Sequence, residues 1–115
     1  MRIFISYCSA DQPIKDVLFT LLKQKIDFDS YDIRVVSMDT DCAGDWAEWM
    51  ISAVKSCDIV IPLLTANSMY VREGDGRKRV FEETRTARDT DKVLVPFATC
   101  TIPDEMIAHI GSYSV

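Results

Sequence analysis

The chain has 115 residues, 48% of them hydrophobic and 27% charged, and this length and balance predict one globular domain with a core of its own. The formal net charge of −5 argues against a generic nucleic-acid-binding protein, because such proteins usually present a basic face. No apolar run approaches the ~20 residues that a membrane-spanning helix requires, so we expect no membrane segment.

The cysteines and the single histidine predict no metal site. Cys8, Cys42, Cys57 and Cys100 form no CxxC pair, and His109 has no partner at a zinc-binding spacing. Most of these cysteines stand in or beside apolar runs, where a free thiol behaves as a small hydrophobic group. We therefore expect reduced thiols and a cytoplasmic protein. Since the first residues already form a strand, we also expect no signal peptide.

The N-terminal part of the chain predicts a strand followed by a helix. Arg2–Tyr7 is apolar and rich in β-forming residues, which is typical of a buried strand. Asp11 can cap a helix, and Pro13 suits its first turn. The polar segment DFDS then ends this unit. The helix has one apolar stripe at helical spacing, formed by Ile14, Val17, Leu18, Leu21 and Leu22.

The middle of the chain repeats this pattern. Ile33–Met38 predicts a second strand, DTDCAG a loop, and Asp45 the cap of a second helix. Asp58–Leu64 predicts a third strand, and because Pro62 cannot donate to a ladder we expect an edge or a bulge there. The apolar stripe of the second helix comprises Trp46, Trp49, Met50, Ala53, Val54 and Cys57.

The C-terminal part continues the alternation after a long polar connection over Ala66–Lys78. Val80–Arg88 predicts a third helix and Val93–Phe97 a fourth strand. Ile102–Ile110 predicts a short helix or turn, and the final SYSV the start of a fifth strand. The buried face of the third helix would contain Val80, Thr84 and Ala87.

Strands that alternate with helices predict a parallel sheet covered on both faces. The carboxyl ends of such strands meet at one edge, where open α/β sheets bind their ligands. Three polar segments follow predicted strands and should converge there, namely SYCSAD, MDTDCAG and LLTANSMY. They are either ordinary turns into helices or the floor of a ligand site. A phosphate-receiver function is disfavoured, because the third strand exits into LLTANS without an Asp.

Four segments in series resemble the signature of the TIR domain, the Toll/interleukin-1 receptor and resistance-protein module. FISYCSAD resembles its first motif, DTDCAGDW its second loop, AVKSCDIVIPLLTANSMY its third-strand segment, and VFEETRTA its helix ending in alanine. The resemblance implies a flavodoxin-like three-layer fold with a four- to five-stranded parallel sheet. It covers residues 1–115 as a single domain, either whole or a piece of a longer chain.

The resemblance implies two kinds of function. Some family members, including bacterial ones, cleave NAD+ at the nicotinamide–ribose bond, while others are scaffolds that signal through TIR–TIR contacts. We favour a self-associating NAD+ glycohydrolase or cyclase of bacterial immune or effector signalling, with NAD+ as substrate and no further cofactor. A scaffold would instead assemble through the loop Asp39–Asp45 and the basic segment Arg72–Arg79.

The resemblance also implies a catalytic glutamate four positions before the helix alanine, and counting back from Ala87 selects Glu83. Glu82 is the alternative, and on a helix its side chain would face about 100° away. Cleavage of an N-glycosidic bond builds positive charge on the ribose, as in glycoside hydrolysis. Because nicotinamide leaves as a neutral molecule, one carboxylate that stabilises the cation suffices.

The NAD+-binding residues that the resemblance implies are Ser6, Tyr7, Cys8, Ser9, Asp39 and Trp46. The first four are explained equally well as a polar turn, and the Asp-x-Asp of the second loop is a poor signal for a metal. Trp49 fits the core better than a pocket. Arg77–Arg79 could meet phosphates, but we favour a solvated run. The family's tryptophan before the catalytic glutamate is missing here, so either Phe81 or Tyr70 would supply the aromatic wall or the wall is absent.

Overall fold

The computed structural model describes residues 1–38, 42, 44–71 and 76–110, apart from the side chains of 76–78. The strands are β1 Arg2–Ser6, β2 Arg34–Val36, β3 Ile59–Leu64, β4 Val93–Leu94 and β5 Phe97–Ala98. The helices are α1 Gln12–Lys25, α2 Phe28–Tyr31, α3 Trp46–Ser56, α4 Ala66–Tyr70, α5 Gly76–Asp89 and α6 Asp104–Ile110, with a short 3₁₀ helix at Ser9–Asp11. All strand pairs are parallel, in the order β2-β1-β3-β4, and β5 also pairs with β3.

Alternation along β1 divides the core between the two faces of the sheet. Phe4 lies in the main core with residues of α3, α5 and α6, whereas Ile3 and Ile5 lie in a smaller cluster with residues of α1. The sheet is therefore covered by helices on both faces. This arrangement confirms the predicted three-layer α/β fold with a parallel sheet.

Helix α1 buries a narrower stripe than the sequence predicts. Ile14, Leu18 and Leu22 pack against the smaller cluster, but Val17 and Leu21 are 60% and 48% exposed. The prediction is wrong for these two residues, because a helix on a sheet buries only the side chains that it directs at the strands. The stripe of α3 is confirmed, with Met50, Ala53, Val54 and Cys57 buried and both tryptophans packed against the core.

β3 is a central strand, so of the two expectations for Pro62, an edge or a bulge, the edge is wrong. Ser6 is the register partner of Pro62 on one side, and β4 and β5 lie on the other. The amide of Val95 donates to the carbonyl of Val60, so alternate residues of β3, including Pro62, direct their backbone groups toward β4 and β5. The missing N–H of Pro62 falls opposite the break between these two short strands, which explains how the sheet accommodates it.

Part of the predicted connection Ala66–Lys78 is helical. The side chain of Thr65 accepts the amide N–H of Ser68, and the Ser68 hydroxyl accepts the amide N–H of Thr65, which makes a capping box for α4. The prediction missed this helix because Ala66–Tyr70 is too short to show an apolar period. Helix α5 begins at Gly76 rather than at Val80. Its predicted buried face, Val80, Thr84 and Ala87, is confirmed.

Smaller differences occur elsewhere. The segment DFDS forms the short helix α2, whose cap Asp27 accepts the amide of Ser30. The predicted strand Val93–Phe97 is divided into β4 and β5, and the predicted short helix at the end is α6. The expected strand at 112–115 lies outside the described residues. Within the part of the chain that the structure describes, no helix is both long and apolar enough to cross a membrane.

Candidate active site

A buried carboxylate lies at the carboxyl edge of the sheet, where three elements meet. Glu83 of α5 is only 2% exposed. Its Oε1 accepts a hydrogen bond from the Oγ of Ser6 at 2.7 Å, and its Oε2 accepts one from the Nε1 of Trp46 at 3.1 Å. Ser6 ends β1 and Trp46 begins α3. The structure thus brings together three of the residues that the sequence selected.

Local sequence pattern explains why these side chains converge. Ser6 follows Phe4 at the two-residue strand period, so its hydroxyl points to the main-core face. Glu83 lies at helical spacing between Val80 and Ala87, both fully buried, so α5 directs it inward. The carboxylate of Asp45 accepts the amide of Ala47 at 2.8 Å and fixes the start of α3, which confirms the predicted cap.

Burial changes the acidity of this carboxylate. Desolvation raises the pKa of Glu83 to about 7, against opposing contributions from the hydrogen bonds of Ser6 and Trp46 and from the positive charge of Arg79. Near neutral pH the group therefore exists in both its charged and its neutral form. A carboxylate of this kind, with a perturbed pKa and fixed donors, is a candidate for chemistry.

Arg79 lies one helical turn before Glu83 on α5 and is half-buried. Its Nη1 lies 3.0 Å from the Sδ of Met38. The prediction of a solvated run is therefore wrong for Arg79, because the helix begins earlier than expected and directs this residue toward Glu83. The side chains of Arg77 and Lys78 are not among those that the structure describes.

None of the hydrogen bonds that the structure gives Glu83 comes from the other residues of the first turn. Tyr7 lies in the smaller cluster on the opposite face, with the Nζ of Lys15 5.7 Å from its ring centroid. The Sγ of Cys8 donates to Asp11 at 3.1 Å, and burial, together with that hydrogen bond, raises the pKa of this thiol to about 11. Ser9 is exposed. A binding role for these three residues stays a prediction, and Asp39 lies outside the described residues.

The sequence missed a second buried carboxylate, Asp11. It occupies the N-cap position of α1, but its side chain makes no capping bond, so the predicted cap is wrong. The carboxylate instead accepts hydrogen bonds from the Sγ of Cys8, the Oγ1 of Thr65 and the Nδ2 of Asn67, the last at 3.0 Å. These contacts join the segments after β1 and β3. Local sequence gives no signal for partners so far along the chain.

Replacing Asp11 with alanine is expected to lower the free energy of unfolding by about 3 kcal/mol, because the buried donors of Cys8 and Thr65 lose their acceptor and the exposed Asn67 amide loses one bond. Urea denaturation followed by circular dichroism measures this change. Asp29, which is exposed on α2, is the matched control, and Asp29→Ala should stay within about 0.5 kcal/mol of the wild type. Equal stabilities of the two variants would contradict the role assigned to Asp11.

The remaining candidates lie in the core or at the surface. Trp49 packs on Phe4 with ring centroids 5.8 Å apart, as predicted for a core residue. Phe81 packs edge-on against His109 at 6.0 Å, and the hydroxyl of Tyr70, a half-exposed residue, donates to the carbonyl of Thr101. Among the described residues, no three or more side chains of His, Cys, Asp and Glu are grouped to hold a metal ion.

A cavity of about 710 Å³ lies between the end of α1 and α2 and is lined by residues such as Lys25 and Phe28. The C-terminal end of α1 and the N-terminal end of β2 lie at the edge of the sheet opposite Glu83. The carboxylate itself is closed off by its donors and by the core in this conformation.

Comparison with known proteins identifies the family. The family profile described as the TIR domain matches residues 3–112. Among solved structures, the chain is similar to a 2-desoxiribosyltransferase from Leishmania mexicana, with a TM-score of 0.59 and 19% identity over 99% of this chain and 73% of that one. This likeness shows the predicted flavodoxin-like fold and nothing finer. A search of curated proteins gives no match. The match over nearly the whole sequence shows that the chain belongs to the TIR domain family.

Proposed function

We propose that this chain cleaves NAD+ at the nicotinamide–ribose bond and that Glu83 is its catalytic carboxylate. The observation that supports this most directly is the placement of Glu83: buried, at the carboxyl edge of the sheet, with one donor on each oxygen. Ligands of open α/β sheets bind at that edge. The TIR family includes NAD-cleaving enzymes, so the proposal extends a known activity of the family to this chain.

The chemistry needs little from the protein beyond one negative charge. As the bond between C1 of the ribose and the pyridinium nitrogen breaks, its electron pair returns to the ring and nicotinamide leaves neutral. Positive charge then develops on the ribose, as in glycoside hydrolysis. A carboxylate beside the ribose stabilises that charge, and the stabilisation is larger in a site that excludes water.

Ser6 and Trp46 keep the carboxylate in position before substrate arrives. Each oxygen of Glu83 also has a further lone pair, so a ribose hydroxyl can bond to it directly or replace one of the two donors. Because Glu83 is 2% exposed, substrate binding requires the surroundings of the carboxylate to open. The fixed donors then restore its orientation for the bond-breaking step.

The ribose cation can react in two ways. Attack by water gives ADP-ribose, whereas attack by the adenine of the same molecule gives a cyclic product. The wider proposal is a self-associating cytoplasmic enzyme of bacterial anti-phage or effector signalling. The four free cysteines suit a reducing compartment.

Release of nicotinamide from NAD+ tests the proposal, with chromatographic detection at several protein concentrations and with a crowding agent. We expect release whose kcat/KM rises with pH and levels off above about 8, with its midpoint near the Glu83 pKa of about 7. The rise follows because only the ionised carboxylate stabilises the cation. A profile that is flat between about pH 5 and 9 would contradict this assignment. The co-product peak separates hydrolysis from cyclisation.

A non-enzymatic scaffold is the second candidate, and one observation favours it. Glu83 is 2% exposed and both of its carboxylate oxygens accept hydrogen bonds, which is also typical of a buried polar cluster with a purely structural role. Self-association without nicotinamide release at any protein concentration would favour the scaffold. Its proposed contact loop, Asp39–Asp45, and basic segment, Arg72–Arg79, lie largely outside the described residues.

A further inference from the structure

A groove at the opposite edge of the sheet from Glu83 contains two arginines. It has a volume of about 340 Å³ and is lined by Arg2, Arg34, Val36, Trp49, Ser52, Ala53 and Ser56. The arginines stand at the amino ends of β1 and β2, and the tryptophan and serines lie on one face of α3. About 13 Å of strand, four residues at 3.3 Å each, separates Arg2 from Ser6.

The two arginines are direct neighbours in the sheet. Arg2 is the register partner of Arg34, and the parallel pairing directs both side chains to the same face. Like charges at such close positions repel each other. A ligand with negative charge would reduce this repulsion.

Arg2 also has a buried donor without an acceptor. Its Nε is inaccessible to solvent and has no hydrogen-bond partner among the described residues. The nearby carboxylate of Asp58 accepts the backbone N–H of Arg2 at 2.9 Å rather than a guanidinium proton. Buried polar groups in native proteins are nearly always satisfied by protein, water or an ion, so this donor is consistent with an acceptor that the described residues do not supply.

We propose that this groove is a binding site for a phosphate-bearing ligand. Two guanidinium groups on one side match the oxygens of a phosphate or diphosphate, because guanidinium donors bind such groups in pairs. The hydroxyls of Ser52 and Ser56 lie across the groove on α3, and the indole of Trp49 offers an apolar surface to the group that the phosphate carries. The site is distinct from Glu83 and does not rest on the proposed enzymatic function.

The chain offers an optical reporter for this site. It has two tryptophans, so a Trp46→Phe variant leaves Trp49, which lines the groove, as the single tryptophan, whose emission is followed with excitation that tyrosine does not absorb. Titration of this variant with inorganic pyrophosphate and with ADP is expected to give a saturable change in emission, whereas adenosine gives none. Equal affinity for the two phosphate probes would indicate a site for the phosphates alone, and tighter ADP binding a nucleotide site.

Charge-removing variants locate the binding. Arg2→Gln and Arg34→Gln are expected to weaken pyrophosphate binding at least about tenfold, because each removes charge-assisted donors. Lys23→Gln removes the same charge at a distance from the groove and should leave the affinity unchanged. Calorimetric titration of the otherwise unaltered protein repeats the comparison without the Trp46 substitution. No saturable response in either experiment, or equal affinity in the Arg2→Gln and Lys23→Gln proteins, would overturn the proposal.

Discussion

Replacement of Glu83 with glutamine is expected to lower kcat/KM for nicotinamide release from NAD+ by at least about 100-fold. Glutamine keeps the size of the side chain and can still bond to Ser6 and Trp46, but it has no negative charge. Loss of one preorganised electrostatic group that stabilises a transition state typically costs 100- to 1,000-fold. Initial rates of nicotinamide release by the two proteins, measured above about pH 8 where Glu83 is ionised, give the ratio.

The neighbouring glutamate provides a matched control. Glu82 is half-buried and lies about 100° around the helix, so Glu82→Gln removes the same charge from the same turn of α5 without touching the site. Its activity should stay within about threefold of the wild type, since it removes no interaction with the reacting atoms. Full activity of a folded Glu83→Gln protein, or loss of activity in Glu82→Gln instead, would contradict the assignment.

Most of the fold could be predicted because its signals are local and periodic. The two-residue period of β1 and the helical period of α3 and α5 define which side chains enter the core, and the structure agrees with them. The errors arise where a property depends on the assembled sheet. The central position of Pro62 depends on strand order, and the exposure of Val17 depends on how α1 lies over the strands.

The candidate site was predictable in part for the same reason. The resemblance to the family's motifs selected Glu83 and Trp46. The two-residue period of the strand separates Ser6 from Tyr7, because adjacent strand residues face opposite sides of the sheet. The contacts of Asp11 were not predictable, because its acceptor role depends on Thr65 and Asn67 beyond β3. The degree to which Glu83 is desolvated likewise depends on tertiary packing.

The same Glu83→Gln variant is expected to gain stability relative to the wild type as the pH rises. The pKa of Glu83 goes from an ordinary 4.5 to about 7 in the folded protein, with burial as the largest cause. The folded state therefore binds this proton more tightly than the unfolded state does. The associated stability is fully present below pH 4.5 and is lost as the pH rises through about 7.

The size of this effect follows from linkage. At about 1.4 kcal/mol per pKa unit, the wild type should lose roughly 2–3 kcal/mol of unfolding free energy between pH 5 and pH 8 through this one group. Glutamine does not titrate, so Glu83→Gln lacks this loss. Urea unfolding of both proteins at the two pH values measures the difference, and other titrating groups cancel in the comparison. Glu82→Gln should follow the wild type.

Parallel pH dependence of the wild type and Glu83→Gln would show that the buried carboxylate does not titrate with a raised pKa. The expected divergence would mean that a glutamate is kept where a neutral isostere is more stable at pH 8. A residue kept at a cost to stability is typical of functional sites, where activity and stability conflict. A variant that gains stability and loses nicotinamide release together would favour catalysis by Glu83 over a structural polar cluster, since the cluster predicts no link between the two measurements.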